Sequence, residues 1–293
     1  MQKIPCLRRI YIDIISKCNA KCKHCYYRMQ NLQMDVKQFK KILIEFLTER
    51  EKATILLLGG EPTLHPQLNK FITLAKSKEW NLGIITNGLT EKYDILKKVD
   101  EVQVSIDHYK EKEDEFRNVK GCFKRQIKTL ENLENSFMRT TIKQDNIEDI
   151  KKLIDICVDL NRDWVGVIIK PLNKYSAMKI PTLSQIIELQ EYLKKINAKY
   201  DISAYIDHPF YFNLSNHWRE KFKKRGYYCP AGWLHCSIKI NGEVTPCLFM
   251  DKPILGNVFK DSFGQIRWGL IDFAQEKNNH LPMCEVEYLK KYN

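Results

Sequence analysis

The sequence predicts an α/β fold built on a parallel sheet, and two observations carry that prediction. Short apolar or β-branched runs recur six times before residue 202, each followed by a stretch with helical spacing. Such alternation implies right-handed crossovers between parallel strands. The run Ala53-Thr54-Ile55-Leu56-Leu57-Leu58 is continuously apolar, as expected of a strand covered on both faces. At 293 residues the chain can bury a large core, as one big domain or as one with an appendage. Active loops at the strand C-termini suit a doubly wound sheet or part of a barrel, and periodicity leaves both open.

The elements follow in order. Arg9-Ile10-Tyr11-Ile12-Asp13-Ile14 reads as the first strand. Val36, Phe39, Ile42, Leu43, Phe46 and Leu47 recur at intervals of three and four, predicting a helix over 35–50. After strand two at 53–58 comes a helix over 66–78, with Phe71, Leu74 and Ala75 inward. A strand at 82–86, a short helix at 90–98 and a strand at 102–106 follow. A helix at 121–135 and a weaker strand at 137–142 precede an amphipathic helix at 147–160. The sixth pair is a strand at 164–169 and a helix at 182–198. From about Ile202 the rhythm stops and aromatic residues cluster, which sets the expected division at 1–201 and 202–293. Within the second part, alternation around Asn241-Gly242 predicts a β-hairpin with Cys236 and Cys247 at its open ends.

Chemistry is most concentrated in Cys18-Asn19-Ala20-Lys21-Cys22-Lys23-His24-Cys25, a polar loop just after strand one. Thiolates are soft ligands that select zinc, copper(I) or iron–sulfur clusters. A structural zinc takes four ligands in a closed shell. Three cysteines make an open one, and a [4Fe–4S] cluster held by three keeps one iron vacant. Half of a zinc site, or three buried thiols, are the plainer alternatives. The start carries no secretory signal, and no apolar run approaches the ~20 residues that span a bilayer. Ten cysteines in such a chain point to metal binding or catalysis in the cytoplasm, not to disulfides. The net charge of +12 is spread over helix faces; it permits an acidic peptide or RNA partner and identifies neither.

Cys-x3-Cys-x2-Cys with His24 before the last cysteine resembles the signature of the radical S-adenosylmethionine (AdoMet) superfamily. The resemblance implies an open, partial (β/α)6 TIM barrel with its [4Fe–4S] cluster on Cys18, Cys22 and Cys25. It also implies that the vacant iron binds AdoMet, whose reductive cleavage gives a 5′-deoxyadenosyl radical that takes a hydrogen atom from substrate. Three further stretches at strand ends resemble the family's cofactor contacts. They are Gly59-Gly60-Glu61-Pro62, which would meet the AdoMet amino group, Thr86-Asn87, and Ser105 with Asp107, near the methionyl and ribose groups. By themselves all three are ordinary turns. Arg117 with Gly121-Cys122-Phe123 resembles another recurring stretch, whereas 141–146, where an adenine contact belongs, is not diagnostic. His65 reads as a loop residue.

Cys229-x12-Gly242-x4-Cys247 resembles the opening of the SPASM and twitch extensions of that superfamily, which hold auxiliary clusters. Only Cys284 remains for the later cysteine block, so the resemblance implies one auxiliary [4Fe–4S] cluster, the twitch case. Its ligands would be Cys229, Cys236, Cys247 and Cys284; a four-cysteine zinc site is the alternative. Cys122, at a helix start, is a candidate reactive thiol or an inert residue. Asp251 is a candidate proton acceptor, and Cys157 is expected in the core. Relatives with this extension modify peptides or proteins, so a peptide or protein substrate is expected, with a reducing partner such as flavodoxin or ferredoxin and no membrane partner. A radical dehydrogenase or rearrangement enzyme acting on a small molecule is the second reading. A non-catalytic zinc or iron–sulfur protein binding RNA is the third. Strand one starts within about ten residues of Met1, so a leader peptide would bind the barrel mouth, the C-terminal segment or a separate partner.

Overall fold

The computed structural model describes residues 7–27, 31–46, 53–170, 178–207, 231–232 and 234–278. The strands are β1 Arg9–Ile15, β2 Thr54–Gly59, β3 Asn81–Thr86, β4 Glu101–Ser105, β5 Ser136–Ile142, β6 Trp164–Ile168, β7 Ala204–Ile206, β8 His235–Ile238 and β9 Val244–Thr245. The helices are α1 Val36–Lys41, α2 Leu68–Lys76, α3 Tyr93–Leu96, α4 Glu111–Arg117, α5 Cys122–Asn132, α6 Ile147–Leu160, α7 Leu183–Lys199 and α8 Phe263–Asn278. Among the described residues these strands form one sheet, ordered β7-β6-β5-β4-β3-β2-β1-β8-β9. Every neighbouring pair is parallel except β8 and β9.

The order β1 to β7 is monotonic, and this decides between the two architectures left open. A doubly wound sheet reverses its strand order at a switch point. Here each right-handed crossover advances the same way, so the helices share one face and the other face turns inward. The fold is a partial barrel. Strand alternation expresses the two faces directly. Ile10, Ile12 and Ile14 join Ile55 and Leu57 in the large core under the helices. Tyr11, Leu56 and Leu58 form a separate inner cluster with Ile85 and Leu248 packed against it.

Some expectations shift. The α/β rhythm runs one strand past 202, because β7 is a three-residue edge strand with too little apolar sequence to register. The helix expected over 35–50 is α1 followed by a π-helical turn, Ile42–Phe46; residues 47–52 lie outside the described set. The predicted hairpin forms as β8 and β9, and β8 adds in parallel to β1. Its far side therefore extends the barrel sheet. Helix α4 has no counterpart in the sequence reading, because Glu111-Lys112-Glu113-Asp114-Glu115-Phe116-Arg117 shows no apolar stripe.

Candidate functional site

The cysteine loop leaves the C-terminal end of β1 and is clamped from three directions. On one side, Gly60 N donates to Ile15 O and Glu61 N donates to Lys17 O, at 2.7 and 2.9 Å. The two glycines are steric requirements. A Cβ on Gly59 would lie 2.2 Å from Ile15 O, and one on Gly60 2.3 Å from Lys17 O. On a second side, the end of α4 pins the turn that bears Cys22: Lys21 N donates to Arg117 O and Lys23 N to Phe116 O. On the third, Asn87 Nδ2 donates to Asn19 Oδ1 at 2.8 Å.

Cys18, Cys22 and Cys25 are each partly exposed on this loop. Two of their sulfurs face nitrogen donors. Asn87 Nδ2 lies 3.8 Å from Cys18 Sγ, and Arg117 Nη1 lies 3.5 Å from Cys22 Sγ. Burial raises the Cys18 thiol and pushes Cys22 up to about 11, against the opposing pull of Arg117. Among the described residues, no three His, Cys, Asp or Glu side chains converge to hold a single ion. Three thiols on one loop are one ligand short of a closed zinc shell.

Glu61 is the brace behind the loop. Buried at 1% exposure, it accepts from Thr63 N, Thr63 Oγ1 and Thr86 Oγ1 on Oε1, and from Asn87 N on Oε2. Its carboxylate thus couples the end of β2 to Thr86 at the end of β3 and to Asn87 just after it, and Asn87 in turn reaches Cys18. Pro62 starts the 3-10 turn Pro62–Leu64 that Glu61 caps. Asp107 does similar work between β4 and β5: Oδ1 accepts from Thr141 N at 2.7 Å, and Oδ2 pairs with Arg117 Nη2. Burial would raise its carboxyl, but Arg117, His24 and Lys143 hold it at about 2. His65 sits in the loop after β2; Nδ1 accepts from Gln67 N, so Nε2 donates to Met34 O.

His24 stacks on Phe116 with ring centroids 4.9 Å apart, and Nε2 lies 3.7 Å from Asp107 Oδ2. Burial lowers its pKa to about 4, so the ring is neutral at neutral pH. Its buried Nδ1 has no hydrogen-bond partner among the described residues. The ring lines a cavity of about 160 Å³ at the C-terminal ends of β2 to β6. Leu58, Ile85, Ser105, Arg139, Thr141, Val167 and Lys170 contribute from the barrel, with Tyr26 from the cysteine loop and Leu248 and Phe249 from beyond β9. The orphaned His24 nitrogen and the hydroxyls of Ser105 and Thr141 suit the adenosine and amino-acid groups of AdoMet.

The strand ends therefore hold the loop of Cys18, Cys22, Cys25 and His24 against Gly59, Gly60, Glu61, Pro62, Thr86, Asn87 and Asp107, and of the residues expected from sequence His24 and Ser105 line the cavity itself. Cys122 is fully buried at the start of α5, and burial pushes its thiol up to about 12, the opposite of an activated nucleophile. It does not line the cavity. Asp251 is exposed and also off the cavity wall. Cys236 is fully buried in the main core, and Cys247 packs beside Ala231, Met250 and Phe273. Cys229 and Cys284 lie outside the described residues. Sequence reasoning missed Arg139, Lys170, Glu113 and Tyr26. For Arg139 a signal existed: β5 alternates buried and partly exposed positions, so Arg139 and Thr141 had to share the inner face.

Residues 12–157 match the family profile described as Radical SAM superfamily, and residues 229–285 that of an iron-sulfur cluster-binding domain, SPASM. The chain is 32% identical over 156 residues to the Fe-coproporphyrin III synthase of Methanosarcina barkeri (strain Fusaro / DSM 804), covering 49% of this chain and 39% of that protein. It is 27% identical over 277 residues to the antilisterial bacteriocin subtilosin biosynthesis protein AlbA of Bacillus subtilis (strain 168), covering 87% of this chain and 58% of AlbA. It thus spans less than two thirds of either relative. Among solved structures, Streptococcus suis SuiB bound to precursor peptide SuiA superposes with a TM-score of 0.77 over 99% of this chain and 74% of SuiB. At 18% identity that likeness is one of fold.

Proposed function

The chain belongs to the radical AdoMet superfamily and carries a SPASM-type iron–sulfur domain, and from that premise we propose that it abstracts hydrogen from a peptide or protein substrate. The family brings a [4Fe–4S] cluster with AdoMet, and the SPASM domain brings auxiliary iron–sulfur chemistry. When bound, the cluster and AdoMet supply reductive carbon–sulfur cleavage and a 5′-deoxyadenosyl radical. Everything else is the work of this chain's residues.

In this reading Cys18, Cys22 and Cys25 ligate the first cluster, while Asn87 and Arg117 donate to two of the sulfurs. Glu61 fixes the loops around the AdoMet amino group, and His24, Ser105 and Thr141 orient the nucleoside. Leu58, Ile85, Val167, Leu248 and Phe249 exclude water from the cavity where the reacting carbon must sit. Residues 1–201 form the AdoMet module and 202–293 the auxiliary module, with Cys229, Cys236, Cys247 and Cys284 as its candidate ligands. One auxiliary cluster, a reducing partner such as flavodoxin or ferredoxin, and a cytoplasmic setting belong to the same reading. No helix among the described residues is long and apolar enough to cross a membrane.

The observation that carries the reading is a three-thiol loop clamped beside a strand-end cavity, with nitrogen donors on its sulfurs. The peptide assignment is supported by AlbA, named for bacteriocin biosynthesis, and by SuiB, solved with its precursor peptide. Anaerobic reconstitution tests it. The wild type should bind about eight irons and release 5′-deoxyadenosine on reduction. Replacing Cys18, Cys22 and Cys25 by Ala should abolish that product, whereas Cys247→Ala should lower the iron count and leave some cleavage. Mass spectrometry of candidate peptides should show loss or exchange of substrate hydrogen. Turnover of a tetrapyrrole with no peptide modified would move the assignment to a small molecule.

A further inference from the structure

The geometry points to Arg117 as the residue that tunes the reduction potential of the cluster on Cys18, Cys22 and Cys25, with Asn87 as a weaker second donor. We propose this role on the strength of the reading above, that these thiols hold a [4Fe–4S] cluster.

Arg117 ends α4 and is only 3% exposed. Each nitrogen of its guanidinium meets a different partner. Nε donates to Glu113 Oε1, Nη2 to Asp107 Oδ2, and Nη1 to Cys22 Sγ at 3.5 Å. Both acids are themselves buried, Glu113 at 0% and Asp107 at 1%. Glu113 is fixed by Asp107 N and His108 N, and Asp107 by Thr141 N. The planar fork therefore has one orientation, and its third edge faces sulfur. The loop cannot drift away from it, because Lys21 N and Lys23 N bind the carbonyls of Arg117 and Phe116 on either side of Cys22.

This arrangement matters for an electron-accepting cluster. Reduction adds one negative charge to the cubane and its thiolates. A cationic N–H on a ligand sulfur stabilises that charge, and hydrogen bonds to sulfur are an established lever on cluster potential. The two acids occupy Nε and Nη2, which leaves Nη1 to face Cys22. Asn87 Nδ2 adds a neutral donor to Cys18 at 3.8 Å, longer and without charge. Arg117 thus makes the cluster easier to reduce by a biological donor and holds the Cys22 corner in a fixed electrostatic setting.

The test is a redox titration of the anaerobically reconstituted protein, followed by EPR and visible absorbance, without substrate. Arg117→Lys keeps the charge but gathers its donors on one nitrogen, so it loses the planar fork that meets Glu113, Asp107 and Cys22 through three separate nitrogens. It should lower the ratio of reduced to oxidised cluster at a fixed applied potential about tenfold, which is about 59 mV for one electron. Asn87→Ala should shift the potential in the same direction by less. Both should keep the wild-type iron content and circular dichroism. If Arg117→Lys loses its cluster, the Asn87→Ala shift decides. Clusters present at full occupancy with unchanged potentials in the surviving variants overturn the proposal. A wild-type protein that takes up no cluster sinks the functional reading instead, so the two failures are separable.

Discussion

Gly59 shows how little slack the site has at the scale of one residue. Its φ of +133° lies where side chains are rarely accommodated, and Ile15 O stands 2.2 Å from where a Cβ would be. The backbone conformation alone should cost on the order of 1–3 kcal/mol for any other residue. The clash adds to that, because the obstacle is backbone and not a flexible side chain. Gly59→Ala should therefore lower the urea midpoint and loosen the cysteine loop, visible as reduced iron uptake at equal protein folding. Wild-type stability in that variant would mean that β1 and β2 separate more readily than their register implies. The glycine pair was legible in the sequence as a place of close approach, but its neighbour was not. The expectation was a ligand; the structure puts backbone there, the end of β1 at Ile15 against Gly59 and the start of the cysteine loop at Lys17 against Gly60. Glu61 follows the same logic, since four donors already meet its carboxylate. A side chain's type shows in sequence, whereas its partners depend on which strand ends the topology brings together.

At the scale of elements, the six predicted strands are found because buried parallel strands advertise themselves as apolar runs. Helix α4 and strand β7 escaped because one is charged along its length and the other is three residues long. The seam between β1 and β8 was also invisible, because no local pattern tells a hairpin to pair with a strand more than 200 residues earlier. That seam carries a titratable group. Asp13, on the inner face of β1, is 2% exposed, and its Oδ2 lies 3.7 Å from Lys239 Nζ just past β8. Burial raises its pKa from 3.8 to about 6, although Lys239 and Tyr27 oppose the rise, and Asp251 reinforces it. Between those values the folded chain binds more protons than the unfolded one, so this group's contribution to stability falls as pH rises. The interval corresponds to roughly 3 kcal/mol. Subtracting the Asp13→Asn unfolding curve from the wild type's should give a difference that declines between about pH 4 and 6 and is flat above. A difference independent of pH in that window would mean that Asp13 is hydrated in the native state.

At the scale of the whole molecule, the stretches that match the two family profiles share one sheet. Strand β1, which delivers the cysteine loop, is central: β2 flanks it on one side and β8 on the other. The segment after 201 also gives the main core Cys236, Ile238, Val244, Val258, Ile266 and Leu270. Burying six such side chains stabilises by on the order of 10 kcal/mol before the compactness of the unfolded chain is discounted. That is comparable with the entire stability of a typical domain, about 5–15 kcal/mol. A protein ending at residue 201 would also turn β1 into an unpaired apolar edge, the geometry that templates aggregation. It would lose β7 and the Leu248–Phe249 wall of the cavity as well. The truncated chain should therefore be recovered as aggregate, or as a monomer without a cooperative thermal transition, by size-exclusion chromatography and circular dichroism. Supplying residues 202–293 in trans should restore some soluble material if β8 can still add to β1. A truncated monomer that melts sharply and takes up four irons would show that the barrel is a folding unit on its own, with the later segment docked on a finished surface.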